Sequence, residues 1–224
     1  MGQNIKLTAS DGFQLGAYRA DPTTTPKAAV VVVQEIFGVN SHIRNVCDRF
    51  AVQGYTAIAP AIFDRIEPNF QSGYSPDEVT VARKFVASPD WDAFLRDTQA
   101  AIDAVKSVGP VGVIGFCLGG SVAFLAATRL GGLTSAIGYY GGAVTRFSDE
   151  TPKVPTLLHY GEKDSGIPLS DVEIVRAKRP DVDIFVYDNA QHGFNCDERA
   201  SYDKASADIA RERSLGFFAK HLVR

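Results

Sequence analysis

The stretch that most constrains the fold of this chain runs from residue 109 to 124 and centres on Gly115-Phe116-Cys117-Leu118-Gly119-Gly120. Before it, Val111 to Phe116 is an apolar run of strand length; after it, apolar residues recur at helical spacing as far as Gly131-Gly132. The pattern predicts a strand, a tight turn and a helix, with G-x-C-x-G at the bend. Glycines on both sides of the cysteine suit a strained turn in which backbones approach too closely for side chains. A thiol held at the start of a helix ionises more readily, because the helix dipole favours the anion. The pentapeptide alone fits a buried structural cysteine in a glycine-rich turn equally well.

The rest of the chain alternates strands and helices. Ile5 to Thr8 and Phe13 to Tyr18 flank a Ser10-Asp11-Gly12 turn and predict an N-terminal hairpin. Ala28 to Gln34 is β-branched and almost without polar residues, as a central parallel strand covered on both faces should be. Further strands are expected at Tyr55 to Ala59, Leu133 to Tyr140, Val154 to Tyr160 and Val182 to Tyr187. Helices are expected over 41–53 with Ser41 as N-cap, from Ser75-Pro76 to about Ala87, Trp91 to Ser107, 170–178 and about Ser201 to His221. In the first of these Cys47 falls on the apolar face, and in the last the apolar positions include Ala205, Ile209, Leu215 and Phe218. The expected architecture is α/β in a single domain, 1–224, with a mainly parallel sheet flanked by helices.

Composition narrows the function. The chain has 45% hydrophobic and 22% charged residues and a net charge of −3, which suits a globular protein and argues against a nucleic-acid binder. No apolar stretch reaches transmembrane length, and the polar start does not resemble a secretory signal. Three widely spaced cysteines, Cys47, Cys117 and Cys196, form no disulfide framework and fit a reducing cytoplasm. No metal-binding spacing of the CxxC or HExxH kind appears, so neither metal nor cofactor is expected.

In open α/β sheets, ligands sit beyond the carboxyl ends of the strands. Glu35, Cys117, Asp164 and His192 all fall on loops at that end. The last three come in the order nucleophile, acid, histidine, with the acid just after one strand and the histidine just after the following one. The bend at Cys117 resembles the nucleophile elbow of α/β-hydrolases, which use this chain order. In a Cys117–His192–Asp164 triad, Cys117 is the nucleophile, His192 exchanges protons with the thiol, leaving group and water, and Asp164 fixes the imidazole tautomer. The N–H of Leu118 is the obvious oxyanion donor, and the N–H of Ile36 the simplest second one. Singly, each residue has a plain structural reading: His192 as any histidine, Asp164 as a turn residue, Glu35 as an exposed loop carboxylate. The remaining histidines, His42, His159 and His221, have no supporting motif.

The segments Gln34-Glu35-Ile36-Phe37-Gly38-Val39-Asn40, Gly115-Phe116-Cys117-Leu118-Gly119-Gly120, Gly138-Tyr139-Tyr140-Gly141 and His192-Gly193-Phe194 together resemble the dienelactone hydrolase family, the carboxymethylenebutenolidases. The resemblance runs nearly end to end. It implies a usually monomeric α/β-hydrolase with an eight-stranded sheet and no large cap domain. It also implies hydrolysis of the enol-lactone 4-carboxymethylenebut-2-en-4-olide to maleylacetate in chlorocatechol breakdown. In the family, the glutamate at the position of Glu35 holds the thiol at rest and shifts when substrate binds, which protects the thiol from oxidation until it is needed.

One part of the family pattern is missing. Two arginines bind the substrate carboxylate in its well-studied members. At the start of helix 76–87 this chain has Asp77, Glu78 and Val79, with Arg83 one turn later; four residues after His192 it has Cys196, with Arg199 three further on. Arg83 is the first candidate for the role, with Arg65 and Arg199 as others. Phe37 and Tyr140 lie on loops at the site end and are candidates for walling a small apolar pocket. The competing readings are a general carboxylesterase of the same fold and, from another class, a thiol redox sensor or ligand-binding pseudoenzyme. A sensor has no need of a triad, so Glu35, Asp164 and His192 argue against it.

Overall fold

The computed structural model describes residues 2–222. Its frame is one eight-stranded sheet in the order β1-β2-β4-β3-β5-β6-β7-β8. The N-terminal hairpin, β1 (Gln3–Thr8) and β2 (Gln14–Ala20), is antiparallel and joins the sheet through an antiparallel β2–β4 pairing. From β4 (Thr56–Pro60) through β3 (Ala29–Val33), β5 (Val111–Phe116), β6 (Ser135–Tyr139), β7 (Thr156–Gly161) and β8 (Asp183–Tyr187), every pairing is parallel. This is the expected α/β architecture.

The five residues of β3 are all buried, as a strand covered on both faces requires. Val30 and Val32 face a core with Ile43, Val46 and Phe50 of α1 (Ser41–Val52) and Phe217 and Phe218 of α7 (Lys204–His221). Ala29, Val31 and Val33 face the opposite core, with Phe94 and Ile102 of α3 (Trp91–Val105) and Val122 and Ala126 of α4 (Leu118–Arg129). Helix α4 is buried over its whole length except its last residue, which accounts for its almost wholly apolar sequence. Cys47 is fully buried in the first core, as its helical position predicts.

Several local expectations are corrected. The N-cap of α1 is Asn40, not Ser41: its side-chain oxygen accepts from Ile43 N–H at 3.3 Å, and its amide donates to Ser72 O at 3.1 Å and Tyr74 Oη at 3.0 Å. Both residues are good capping types, and the contacts to the 61–74 loop favour Asn40. Helix α2 (Pro76–Lys84) has the capping box that Ser75 and Glu78 encode, but it ends before Ala87. A one-turn helix, α5 (Val144–Phe147), was not expected, whereas α6 (Leu169–Lys178) was.

Helix α7 is rolled relative to its apolar reading. Ile209 is 45% exposed and Ala205 is exposed, while Ser206 and Ser214 are buried. Ser214 is drawn in by a polar network. His159 on β7 bonds Tyr187 Oη through Nδ1 at 2.8 Å and Ser214 Oγ through Nε2 at 3.0 Å, and Ser214 Oγ lies 2.7 Å from Tyr139 Oη. Burial holds the His159 pKa down at about 3, with the charge of Arg213 adding to the effect, so the ring is neutral.

Candidate active site

The carboxyl ends of β3, β5, β7 and β8 deliver Glu35, Cys117, Asp164 and His192 to one end of the sheet. Cys117 joins β5 to α4 with φ 54° and ψ −114°, a conformation L-residues rarely adopt and one that costs roughly 1–3 kcal/mol. Its backbone is held from both sides: its N–H donates to Tyr139 O at 3.0 Å, and its carbonyl accepts from Gly120 N–H at 3.0 Å and Ser121 N–H at 3.3 Å. The flanking glycines are obligatory. A Cβ on Gly115 would lie 1.8 Å from Gly119 O, and one on Gly119 would lie 2.3 Å from Val33 O. The bend therefore presents a half-buried thiol at the first turn of α4. The N–H groups of Leu118 and Ile36 donate to no group among the described residues, which leaves both available to an oxyanion.

His192 Nδ1 lies 2.7 Å from Asp164 Oδ2. The Asp164 side chain is only 1% exposed, and its other oxygen accepts from Gly166 N–H at 2.9 Å, so the carboxylate cannot turn away. Burial opposes charge on His192, but the charge of Cys117 and the hydrogen bond that Nδ1 donates to Asp164 outweigh it and raise the imidazole pKa to about 10.

Glu35 is 1% exposed, not the surface carboxylate of the plain reading. Its Oε1 accepts from Arg199 Nη1 at 3.2 Å, and its Oε2 has no partner among the described residues. No hydrogen bond joins Glu35 to Cys117, so the carboxylate is engaged by Arg199 and does not hold the thiol. A guanidinium offers several charged donors and outcompetes a single S–H for a buried carboxylate. Arg199 also lies over the rings of Phe37, at 5.6 Å, and Tyr74, at 5.9 Å. Gly193 makes the approach possible: its φ is +78°, and a Cβ there would stand 2.4 Å from Arg199 Nη1.

Of the three candidate arginines, then, Arg199 reaches the cluster. Arg83 is on an exposed position of α2, and its side chain makes no hydrogen bond or ion pair among the described residues. Arg65 is committed elsewhere, paired with Asp97 at 2.8 Å and Asp11 at 2.9 Å. Phe37 and Tyr140 are 2% and 0% exposed, so they form the floor under the site and not an open wall. Tyr140 has φ 38°, its ring centroid is 5.1 Å from that of His192, and its hydroxyl has no hydrogen-bond partner. Burial, reinforced by the charges of Glu35 and Cys196, raises the Tyr140 pKa well above the usual phenol range.

Residues that the motifs did not flag complete the surroundings. His42 is fully buried, and its Nδ1 lies 3.1 Å from Asp197 Oδ1. Cys196 is fully buried too; burial, then the charge of Glu35, pushes its thiol up to about 12, so it stays protonated. No local signal marks these residues, because each meets its partners across the fold.

Comparison with known proteins identifies the family. The sequence model of the dienelactone hydrolase family matches residues 15–222. The chain belongs to the dienelactone hydrolase family. The carboxymethylenebutenolidase of Pseudomonas putida is 32% identical over 97% of this chain and 96% of its own length. A Synechocystis protein provisionally named a carboxymethylenebutenolidase is 35% identical over 99% of this chain and all of its own. A crystal structure from Klebsiella pneumoniae, provisionally named a dienelactone hydrolase, superposes with a TM-score of 0.85 at 31% identity, covering 98% of this chain and 99% of that one. A dienelactone hydrolase-like promiscuous phosphotriesterase from metagenomic libraries shares the fold, with a TM-score of 0.81 at 21% identity over 98% of each chain. As a member of this family the protein is a hydrolase of the α/β class. Among the described residues no helix is long and apolar enough to cross a membrane.

Proposed function

We propose that this protein hydrolyses a small enol-lactone, with dienelactone the first candidate, through a thioester on Cys117. The observation that carries the reading is the Asp164–His192 hydrogen bond of 2.7 Å, with the raised imidazole facing Cys117 on its strained bend. Cys117 Sγ attacks the carbonyl carbon, and the oxyanion accepts from the N–H groups of Leu118 and Ile36. Collapse breaks the ring C–O bond, and the departing enolate takes the proton of His192. Neutral His192 then removes a proton from water as the water attacks the thioester. The thiolate leaves, the carboxylic acid is released, and the imidazolium–thiolate pair is restored. An enolate is a weak base and leaves readily, so the substrate suits a thiolate better than an amide would. Glu35 gates the thiol, and Arg199 draws the gate open. Arg199, whose side chain is 20% exposed, also takes the place of the family's carboxylate-binding arginines. The substrate is a free small molecule met in the cytoplasm, and the enzyme works as a monomer without metal or cofactor.

A second reading, an esterase for neutral esters, is favoured by one observation: Glu35 already neutralises Arg199, which weakens its attraction for a substrate carboxylate. Mass spectrometry after mixing with a slow p-nitrophenyl ester tests the shared chemistry. An acyl adduct on Cys117 is expected. No adduct, with no hydrolysis of any ester or lactone, would return the thiol-sensor reading. Kinetics on cis- and trans-dienelactone beside short neutral esters separate the two substrates, because faster turnover of the neutral esters selects the second.

A further inference from the structure

Glu35, His42 and Cys196 bring a carboxylate oxygen, an imidazole nitrogen and a thiol sulfur within 4.8 Å of one another in the floor of the site. All three residues are at most 1% exposed. Glu35 Oε2 and His42 Nε2 both lack a hydrogen-bond partner, although unpaired buried polar atoms are costly. The pairing of His42 Nδ1 with Asp197 makes Nδ1 the donor, so in the neutral ring Nε2 presents its lone pair to the cluster. An ionised carboxylate oxygen is also an acceptor only, and no donor among the described residues bonds either atom, the nearby Tyr74 hydroxyl being engaged by Asn40 and Cys196. Electron pairs are in excess, and a cation would satisfy them.

We propose that Glu35, His42 and Cys196 form a binding site for a thiophilic divalent cation, zinc in the first instance. Carboxylate, imidazole and thiolate are the ligand types zinc takes, at about 2.0–2.3 Å, so donor atoms already this close need only a small closure. Asp197 supplies the outer carboxylate that orients a metal-binding histidine. Binding expels the Cys196 thiol proton to solvent and forms the S–metal bond, so no oxidant or reductant is needed. The two negative ligands balance the ion's charge, and Arg199 keeps its bond to Oε1. A fourth position is left for water.

The test uses full-length protein stripped with a chelator and then freed of it. Cobalt(II) serves as the spectroscopic probe, and zinc is titrated against a chromophoric chelator. One ion per chain is expected, with a thiolate-to-cobalt charge-transfer band that persists in Cys117→Ser and vanishes in Cys196→Ala. Asp197→Asn, at a side chain 42% exposed, keeps all three ligands and the fold, and should weaken binding by about 10–100-fold. Absence of stoichiometric binding would overturn the proposal. So would a band lost in Cys117→Ser and kept in Cys196→Ala, since the ion would then sit on the reactive thiol.

Discussion

Arg199 donates from Nη1 to Glu35 Oε1 at 3.2 Å across a sequence separation of 164 residues, and it can do so because residue 193 carries no Cβ. A buried carboxylate of the β3 loop is thereby tied to the loop that supplies His192. Removing the arginine would strand the negative charge. Arg199→Met should cost roughly 2–4 kcal/mol of stability, discounted from a fully buried pair because Arg199 is 20% exposed. It should also slow alkylation of Cys117 by iodoacetamide, since the freed Glu35 can then hold the thiol. Arg199→Lys keeps the charge without the planar fork and should fall between. An alkylation rate unchanged in the methionine variant would show that Arg199 does not control the gate.

Gly193→Ala should reproduce part of that loss with the arginine still present. The new methyl would meet the guanidinium at 2.4 Å, at a φ of +78° that side chains avoid. A drop in kcat/KM of at least tenfold, with about 1–3 kcal/mol lost in thermal unfolding, is the expected result. Wild-type kinetics would mean that Arg199 has room to step aside.

His192 carries the clearest pH signature. Its pKa is raised from 6.5 to about 10 in the folded chain, so the folded protein holds this proton more tightly than the unfolded one. The resulting stability is complete below about pH 6.5 and is lost as pH climbs through about 10. Cys117→Ala removes the largest of the raising influences, so the imidazole should titrate at lower pH, as followed by NMR of the ring. Asp164→Asn should also lower it and cut kcat by about 10²–10⁴-fold, since the ring loses its tautomer control. A His192 titration unmoved by either change would refute the coupling.

Cys117→Ser should lose most activity. A serine hydroxyl is far less acidic than a thiol, and the proposed mechanism runs through a thiolate. Retention of the wild-type rate would sink the thiolate mechanism.

The His159 network should set the acid limb of stability. With its folded pKa depressed from 6.5 to about 3, His159 takes up its proton more readily in the unfolded chain, so its contribution is present above about pH 6.5 and is lost as pH falls towards 3. Ser214→Ala leaves His159 Nε2 and Tyr139 Oη without their shared partner and should cost about 1–3 kcal/mol by chemical denaturation. A smaller loss would mean that water replaces the serine.

What was legible in the sequence was what depends on local pattern. The buried run of β3, the bend at Cys117 and the order Cys117, Asp164, His192 follow from spacing along the chain and from which strand ends a parallel sheet aligns. Adjacent caps were not separable, because Asn40 and Ser41 are both good capping types and the contacts that decide lie in the 61–74 loop. The buried face of α7 does not follow from spacing, because a serine looks like a surface residue until His159 and Tyr139 are known to meet it. The choice of Arg199 over Arg83 was hidden for the same reason: it turns on a glycine in another segment and a carboxylate 164 positions away.

Asn40 joins elements that a list of strands and helices keeps apart. One side chain starts α1, bonds the 61–74 loop at Ser72 and Tyr74, and follows directly on the loop of Glu35, where Phe37 O also accepts from Ser72 N–H at 3.0 Å. The rim of the site and the first turn of α1 therefore have no independent way to open. In hydrogen exchange they should behave as one cooperative unit, with the amides of Ile43 and Ser72 released together.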